Sequence, residues 1–224
     1  MSWTLYRHAK EVQHLGFTTA LHSEERSPHT AYRCLYPNEL TKTWIRPESM
    51  FEDLNDQGKQ RFEPIARIRV VEPENKARVL AFGFDACGEQ QSLSEFIASY
   101  GESLNHLTGT CYLLETLDGT PVSNLDVLRF ARDAMGIASV ATCPEYRSRG
   151  YAQLLLKAVM ELQRLESGDD LRFLLYSEVN PRLYEECGFF VLGEEHQYFR
   201  PSLAMMSGSS DINPTLTPFL KSYL

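Results

Sequence analysis

The sequence predicts an α/β fold, and three features of the second half of the chain support this class. Residues 137–140 form an apolar, strand-like segment that leads through a loop into an amphipathic helix. Apolar residues recur in that helix at steps of three and four, as on a helix with one face buried on a core. These residues are Leu155, Ala158, Val159, Leu162 and Leu165. Residues 171–179 are almost continuously apolar, which is typical of a central strand covered on both faces.

Weaker patterns predict the elements of the first half of the chain. Residues 3–8 are predicted as a strand, and residues 10–22 have mixed helical periodicity and are predicted as a helix. Residues 23–58 are predicted to be loop-rich and partly helical, because prolines interrupt them. The alternating residues 65–71 pass through a turn toward residues 78–84, which predicts a hairpin.

The middle of the chain predicts an insertion. Helices are expected over residues 94–104 and 124–134, with an extra strand over residues 111–115 and a turn at Asp118 and Gly119 between them. These elements separate the hairpin from the strand at residues 137–140. The insertion is interpreted either as a lid or acceptor-side cap, or as a surface elaboration.

Glycine, asparagine and proline set the predicted boundaries that follow the amphipathic helix. Gly168 ends that helix, and Asn180 is predicted to cap a short helix whose first residue is Pro181. Gly188 is the matching glycine at the end of the short helix. Two closing strands and an irregular tail complete the expectation, over residues 189–192, 196–199 and 201–224.

Composition bounds the partners and the compartment. The 224 residues, 43% of them hydrophobic, suit one domain or one domain with a sizeable insertion. The net charge of −8 disfavours nucleic acid and anionic membranes, which need clustered cations. The five cysteines have no metal-binding spacing and no disulfide pattern, and the N-terminus lacks a signal peptide. No stretch approaches the ~18 consecutive apolar residues of a membrane span. We expect a cytoplasmic protein without a metal site.

The loop before the amphipathic helix has the features of an anion site. Its end reads Arg147-x-x-Gly150-x-Ala152. Backbone N–H groups in the first turn of a helix have no partner inside the helix, and the helix dipole adds positive potential there. Gly150 and Ala152 keep bulky side chains away, so a pyrophosphate could approach the backbone.

This loop resembles the acetyl-coenzyme A signature of the GNAT superfamily of N-acetyltransferases, Gln/Arg-x-x-Gly-x-Gly/Ala. Pro144 and Tyr146 precede it as in many members, and a second family-like motif, Tyr-Glu-Glu-Cys-Gly-Phe at residues 184–189, follows at the expected distance. The resemblance covers residues 137–190. A narrower, partial likeness at residues 175–179, Leu-Tyr-Ser-Glu-Val, is to the branch that includes fungal lysine N-acetyltransferases.

The resemblance implies a GNAT fold, in which a central mixed, mostly antiparallel twisted sheet is flanked by helices. Here the insertion at about residues 85–135 would precede the fourth core strand. A single GNAT domain would then cover residues 1–224. Residues 1–135 would form its acceptor-side half, residues 136–200 its acetyl-CoA-binding core, and the remainder the tail.

The resemblance also implies the site. The strand residues Val140, Ala141 and Thr142 would hold the acetyl group and the pantetheine arm of acetyl-CoA through their backbone. The loop residues that would bind the pyrophosphate are Arg147, Ser148, Arg149, Gly150, Tyr151 and Ala152. Tyr184 would act as the general acid that protonates the leaving thiolate. The general base stays open between a water molecule, Glu178 and a residue of the insertion.

The activity implied by the resemblance is that of an acyltransferase. It would move the acetyl group of acetyl-CoA to a primary amine by direct attack in a ternary complex. A small-molecule amine is the first expectation for the acceptor, and a protein lysine or N-terminus is the second. Two other interpretations stay open: a route through Cys143 as nucleophile, which no neighbouring histidine supports, and a non-catalytic coenzyme-binding sensor or interaction module. Many members of the superfamily dimerise, so a homodimer is also considered.

Overall fold

The chain divides into two compact units. The first contains residues 1–69 and 114–121, and the second contains residues 70–113 and 122–224. The single domain expected over residues 1–224 stays a prediction, because two compact units can unfold either together or separately. The computed structural model describes residues 2–87, 92–102, 107–178, 180–212 and 216–221.

The first unit is built on an antiparallel sheet. Its strands are β1 (Ser2–His8), β2 (Gln13–Leu21), β3 (Pro28–Cys34), β4 (Thr43–Pro47) and β5 (Phe62–Val70), with a short helix α1 (Ser49–Glu52). The strands lie in the order β5-β1-β2-β3-β4, and each neighbouring pair is antiparallel. Tyr32, Phe51 and Phe62 form a buried aromatic cluster, and the ring of His14 packs edge-on against Tyr32 and Phe62.

The structure confirms two local predictions in this unit and contradicts two. Residues 3–8 lie in β1, and the first strand of the predicted hairpin, residues 65–71, is β5 except for its last residue. The segment predicted as a helix over residues 10–22 is β2, and the segment expected to be loop-rich, residues 23–58, contains β3 and β4. β2 is paired along both edges, with β1 and with β3. This pairing outweighs the mixed periodicity of the segment, because the preference for strand depends on the neighbouring strands.

The second unit is a mixed sheet flanked by helices. Its strands are β6 (Thr110–Glu115), β7 (Pro121–Arg129), β8 (Ala134–Thr142), β9 (Arg172–Ser177), β10 (Phe189–Val191) and β11 (Leu203–Ser207). Its helices are α2 (Lys76–Leu80), α3 (Phe84–Cys87), α4 (Leu93–Gly101), α5 (Tyr151–Ser167), α6 (Arg182–Glu185) and α7 (Thr217–Leu220). The strand order is β10-β11-β9-β8-β7-β6, with β8 and β9 parallel and antiparallel pairing at β7–β8, β9–β11 and β10–β11. This largely antiparallel mixed sheet with flanking helices confirms the predicted fold class.

The elements with strong local patterns are confirmed. The amphipathic helix is α5, which lies between Gly150 and Gly168, and the apolar strand is β9, which lies between β8 and β11. The extra strand over residues 111–115 is β6. The helix expected over residues 94–104 is α4, although its last two residues lie outside the described part of the chain.

Two predictions in the middle of the chain are wrong, and they change the interpretation of the insertion. Residues 78–84 belong to helical turns and not to a strand, and residues 124–134 contain most of β7 and not a helix. β7 pairs with β8 from Ser123 to Arg129 and is almost fully buried. The later part of the predicted insertion, β6 and β7, is therefore part of the sheet itself. Its helix-like spacing of apolar residues misleads because both faces of β7 are covered.

The end of the chain also differs from expectation. Residues 196–199 do not form a strand, and the last strand is β11, inside the segment predicted as an irregular tail. β11 pairs with β9 on one edge and with β10 on the other. Leu220 of α7 and the adjacent Leu216 are buried in one hydrophobic cluster with Leu174 of β9 and Met206 of β11. The Ser- and Gly-rich composition concealed these elements, because their stability comes from partners elsewhere in the chain.

The helix α5 anchors the second unit. It is 17 residues long, and Leu155, Ala158 and Val159 on its apolar face are completely buried. Gly168, with φ of +104°, ends it in a backbone conformation that other residues avoid. Among the described residues, no helix, α5 included, combines the length and apolar character needed to cross a membrane.

Candidate active site

A cavity opens where β8 and β9 part. The two strands pair only from Ala134 to Gly136, opposite residues 172–174. Beyond this point both strands line a cavity of about 890 Å³, within the roughly 300–1,000 Å³ usual for small-molecule sites. The other walls come from α2, α4, the loop that opens α5, and α6. The site predicted from sequence therefore lies on a cavity large enough for a ligand.

β8 carries a bulge in the wall of this cavity. Asn124 of β7 faces Ala141, while Asp126 faces Ala138, so the single residue between them on β7 is opposite Ser139 and Val140. Ser139 has φ of +53°, which is the left-handed region that residues other than glycine seldom adopt. A bulge removes backbone groups from the ladder between the strands. Val140, in the bulge, and Ala141 and Thr142, directly after it, all line the cavity; these are the residues predicted to hold the acetyl group and the pantetheine arm.

The loop between β8 and α5 has the backbone of an anion site. Ser148 and Gly150 have φ of +60° and +78°, and Gly150 is the residue that caps α5. Left-handed residues alternating with others turn successive N–H groups toward one side, which makes an anion-binding concavity. Ser148, Gly150 and Ala152 line the cavity. Of the predicted pyrophosphate residues, Arg149 and Tyr151 lie outside its lining.

Arg147 lines the cavity, but its guanidinium is engaged within the protein. Nη1 and Nη2 donate to the carboxylate of Asp85 at 2.5 and 2.7 Å. Nη2 also donates to the carbonyl oxygen of Phe82 at 3.1 Å, and Nε donates to that of Thr142 at 3.0 Å. Arg147 thus ties the end of β8 to the helical segment around α3. Arg149 instead lies over the ring of Tyr146, 5.5 Å from its centre.

The structure brings both predicted catalytic residues to the cavity. Tyr184, on α6, is 7% exposed, and Glu178 follows the end of β9; both are lining residues. Burial, with smaller contributions from the charges of Glu178 and Cys187, raises the pKa of Tyr184 to about 12. The phenol is therefore protonated throughout the neutral range. Glu178 is exposed and close enough to act electrostatically on Tyr184.

Other chemistry suggested by the sequence receives less support from the geometry. Sγ of Cys143 donates to the carboxylate of Glu145 at 2.8 Å, and burial and this hydrogen bond raise the pKa of the thiol. A neutral thiol is a poor nucleophile. Asn180 accepts the N–H of Arg182 at 3.0 Å through Oδ1, but α6 begins at Arg182 with Pro181 as its cap, one residue later than predicted. Among the described residues, no three His, Cys, Asp or Glu side chains are grouped as a metal site.

Sequence reasoning missed two parts of the cavity wall. The first is apolar and comes from α2 and α4, through Leu80, Phe96 and Tyr100. The second is Asn124 on β7. Asn124 was assigned to a helix, and the α2 segment was assigned to a strand, so no local signal placed either near the loop. A strand prediction for β7 would have put Asn124 on the face next to the bulge.

Two family models match parts of the chain. Residues 107–190 match the model described as an acetyltransferase (GNAT) domain, and residues 4–64 match one described as a protein of unknown function (DUF1653). The GNAT match begins just before β6 and includes β8, the loop, α5 and Tyr184. The match supports the prediction of a GNAT acetyltransferase domain in this part of the chain, and with it the predicted N-acetyltransferase activity. No curated protein matches the chain.

Several solved structures are similar to this chain at low sequence identity. A chimera of the Vibrio cholerae spermidine N-acetyltransferase is 17% identical, with 63% of this chain and 94% of that chain covered and a TM-score of 0.49. A putative N-acetyltransferase from Lactobacillus plantarum is 19% identical, with 62% of this chain and 97% of that chain covered and a TM-score of 0.49. An acetyltransferase from Streptococcus agalactiae is 17% identical, with 64% of this chain and 98% of that chain covered and a TM-score of 0.48. Likeness at this level carries no information on the substrate of this chain.

Proposed function

We propose that this protein is an acetyl-CoA-dependent N-acetyltransferase that acts on a primary amine of a small molecule. The observation that carries the proposal is the cavity at the parting of β8 and β9, onto which the bulged strand, the anion-type loop and Tyr184 all open. GNAT acetyltransferases in general use acetyl-CoA as co-substrate, and the matched domain contains these three features. The substrate pair is thus an acetyl thioester and an amine.

The pyrophosphate of acetyl-CoA would bind to the backbone N–H groups of residues 148–152. Charge-assisted hydrogen bonds of this kind contribute about 1.5–3 kcal/mol each. Arg147 is already bonded to Asp85, so the amides and the dipole of α5 supply most of the attraction. Arg147 would act chiefly by holding the loop, and Arg149 and Tyr151 would flank the phosphates from outside the cavity.

The reaction requires a defined movement of protons. The neutral amine attacks the thioester carbon, a C–N bond forms, and the carbonyl oxygen becomes an oxyanion. A backbone N–H near Val140–Thr142 would stabilise that oxyanion, by roughly 3–4 kcal/mol where such donors have been measured. The C–S bond then breaks and the thiolate leaves. The amine loses a proton to a base, and the thiolate gains one from an acid.

Tyr184 is proposed as the donor to the departing sulfur. Its pKa of about 12 lies more than three units above the thiol pKa of about 8.5, so complete transfer would be uphill by roughly 5 kcal/mol. A hydrogen bond to the developing thiolate avoids most of this cost, and a water molecule can supply the proton afterwards. Glu178 or a water molecule would accept the amine proton, since Glu178 lines the cavity and its charge acts on Tyr184.

The lining chemistry favours a small amine with an apolar body. Leu80, Phe96 and Tyr100 bring an apolar surface to the cavity, and Glu178 brings a carboxylate that would attract the protonated amine before it reacts. The partial likeness of residues 175–179 to the branch with fungal lysine N-acetyltransferases adds free lysine to the candidates.

We also infer a cytoplasmic location, because Cys34, Cys111, Cys143 and Cys187 are free thiols, as is usual in a reducing compartment. A homodimer stays a prediction.

The test is a calorimetric titration with acetyl-CoA, followed by an assay of thiol release with tyramine, spermidine, free lysine and a lysine-containing peptide. Micromolar binding with release on a small amine would support the proposal. Release on the peptide alone would identify a protein acetyltransferase. Binding without release on any amine would favour a coenzyme-binding sensor, and no binding would overturn the assigned site.

A further inference from the structure

Asn124 joins β7 to the bulge of β8. It is 1% exposed, lies opposite Ala141, and lines the cavity. Its Nδ2 donates to the carbonyl oxygen of Ser139 at 3.1 Å. Since Ser139 holds a left-handed backbone conformation, which costs of order 1–3 kcal/mol for such a residue, this hydrogen bond helps to keep the bulge in place.

The other end of the same amide is unsatisfied. Within the described part of the chain, no donor lies within hydrogen-bond distance of the buried Oδ1 of Asn124. A buried amide oxygen without a partner is rare in native proteins, and each one calls for a physical reason. Because Asn124 is in the cavity wall, a ligand with an N–H group can supply the missing donor.

The neighbouring residue Ser123 shows the difference between a structural and a ligand-facing polar group. Its Oγ donates to the carbonyl oxygen of Ala141 at 2.8 Å and lies 3.0 Å from Oγ1 of Thr142. It is completely buried and is not a lining residue of the cavity. Both residues therefore connect β7 to β8, but of the two only Asn124 lines the cavity and has an acceptor oxygen without a hydrogen-bond partner among the described residues.

We propose that Asn124 has two roles at this site. Its Nδ2 positions the bulge through Ser139, and its Oδ1 accepts a hydrogen bond from an N–H group of the bound ligand. The proposal rests on the proposed acetyltransferase function. Two sources share this chemistry: an amide N–H of the pantetheine arm of acetyl-CoA, and the acceptor amine.

The test compares Asn124→Leu and Asn124→Asp with the control Ser123→Ala. Leucine has a similar size but neither donates nor accepts, and aspartate accepts only. The control loses a β7–β8 hydrogen bond made by a side chain that does not itself line the cavity. Circular dichroism establishes that each variant is folded. Amide hydrogen exchange of residues 137–142 is measured in the ligand-free proteins, so that the positioning role is tested without any ligand.

We expect faster exchange at residues 137–142 in both Asn124 variants than in Ser123→Ala. Asn124→Leu should weaken ligand binding about tenfold or more, the range for a lost buried hydrogen bond, and Asn124→Asp should recover part of the loss. A weaker acetyl-CoA titration would identify the pantetheine arm as the donor. An unchanged titration with a raised KM for the reacting amine would identify the acceptor.

Two results would overturn the assignment. Exchange rates in Asn124→Leu equal to those of Ser123→Ala would remove the positioning role. Ligand affinities and KM values equal to those of the control would remove the recognition role. Failure of the proposed function has a different signature: the unsubstituted protein would then neither bind acetyl-CoA nor acetylate an amine. That result would also overturn the recognition role of Asn124. The exchange data would still decide its positioning role.

Discussion

Arg147 shows how a residue can match a motif and still have a different first role. In the sequence it is the cation of an anion-binding loop, but in the structure its side chain bonds to Asp85, 62 positions away. Exposed ion pairs of this kind contribute little to stability, typically 0–1 kcal/mol, so the contact is more important for orienting the loop. The charge available to a pyrophosphate therefore depends mainly on the backbone of residues 148–152.

Gly150 provides the sharpest test of that loop. A Cβ at this position would meet nothing within 4 Å, but the φ of +78° disfavours any other residue, by about 1–2 kcal/mol. Gly150→Ala should cause only this backbone cost. Gly150→Glu adds a negative charge beside the phosphates and should abolish acetyl-CoA binding in the titration. If the Gly150→Glu variant binds acetyl-CoA as tightly as the Gly150→Ala variant, the pyrophosphate does not bind at this loop.

Tyr184→Phe tests the hydrogen bond to the leaving sulfur. Turnover should fall by about 10²-fold, the lower range for a lost acid catalyst, while the dissociation constant of acetyl-CoA changes little. With a pKa of about 12 the phenol stays protonated below that value, so its ionisation should cause no loss of rate between pH 6 and pH 10. The kcat of the variant and its acetyl-CoA titration check the first statement, and the kcat–pH profile of the unsubstituted protein checks the second.

Tyr176→Phe is the matched control for that experiment. Tyr176 also lines the cavity, but its hydroxyl donates to the carbonyl oxygen of Leu220. Its removal should lower thermal stability and leave kcat nearly unchanged. Equal losses of kcat in the two variants would show that Tyr184 acts only through packing.

At the scale of elements, β2 places a histidine inside the sheet of the first unit. His14 is 4% exposed, and burial lowers its pKa to about 4, with smaller contributions from His8 and Arg46. In the unfolded chain the pKa is about 6.5. The unfolded state therefore binds the proton first as pH falls, and stability is lost from about pH 6.5 down to about pH 4.

The first unit should consequently be less stable in mild acid. Between pH 7 and pH 5 the free energy of unfolding should fall by about 2 kcal/mol through His14. Urea unfolding followed by tryptophan fluorescence is selective for this unit, because Trp3 and Trp44 are the two tryptophans of the chain. His14→Phe keeps an aromatic ring and should flatten the pH dependence. The same loss in the variant would assign it to other groups.

The whole molecule combines two compact units with different family matches. The match of unknown function, residues 4–64, lies entirely within the first unit. The GNAT match lies in the second unit except for residues 114–121, and all lining residues of the candidate site belong to the second unit. The assignment of residues 1–135 to an acceptor-side half remains a prediction. Within this range, the described residues that line the cavity lie between Val79 and Asn124.

Acetyl-CoA should stabilise the unit that binds it. At about 100 times its dissociation constant a ligand contributes ~3 kcal/mol, which slows exchange from globally opened states about 100-fold. We expect this protection in α5, β8 and β9, with no change in β1 to β4, as measured by hydrogen exchange and mass spectrometry. Equal protection of both units would instead confirm the single cooperative domain expected from the sequence.

The sequence alone determined the strand, loop and helix around residues 137–167, and with them the class of protein. These features are local: helical periodicity, a glycine at each end of α5 and a small-residue loop depend on neighbours a few positions away. Tertiary structure decided that residues 13–21 and 121–129 are strands, that β11 ends the sheet, and that Arg147 bonds to Asp85. It also brought Asn124 to Ser139. Strand pairing and buried polar contacts depend on partners far along the chain, which local patterns do not encode.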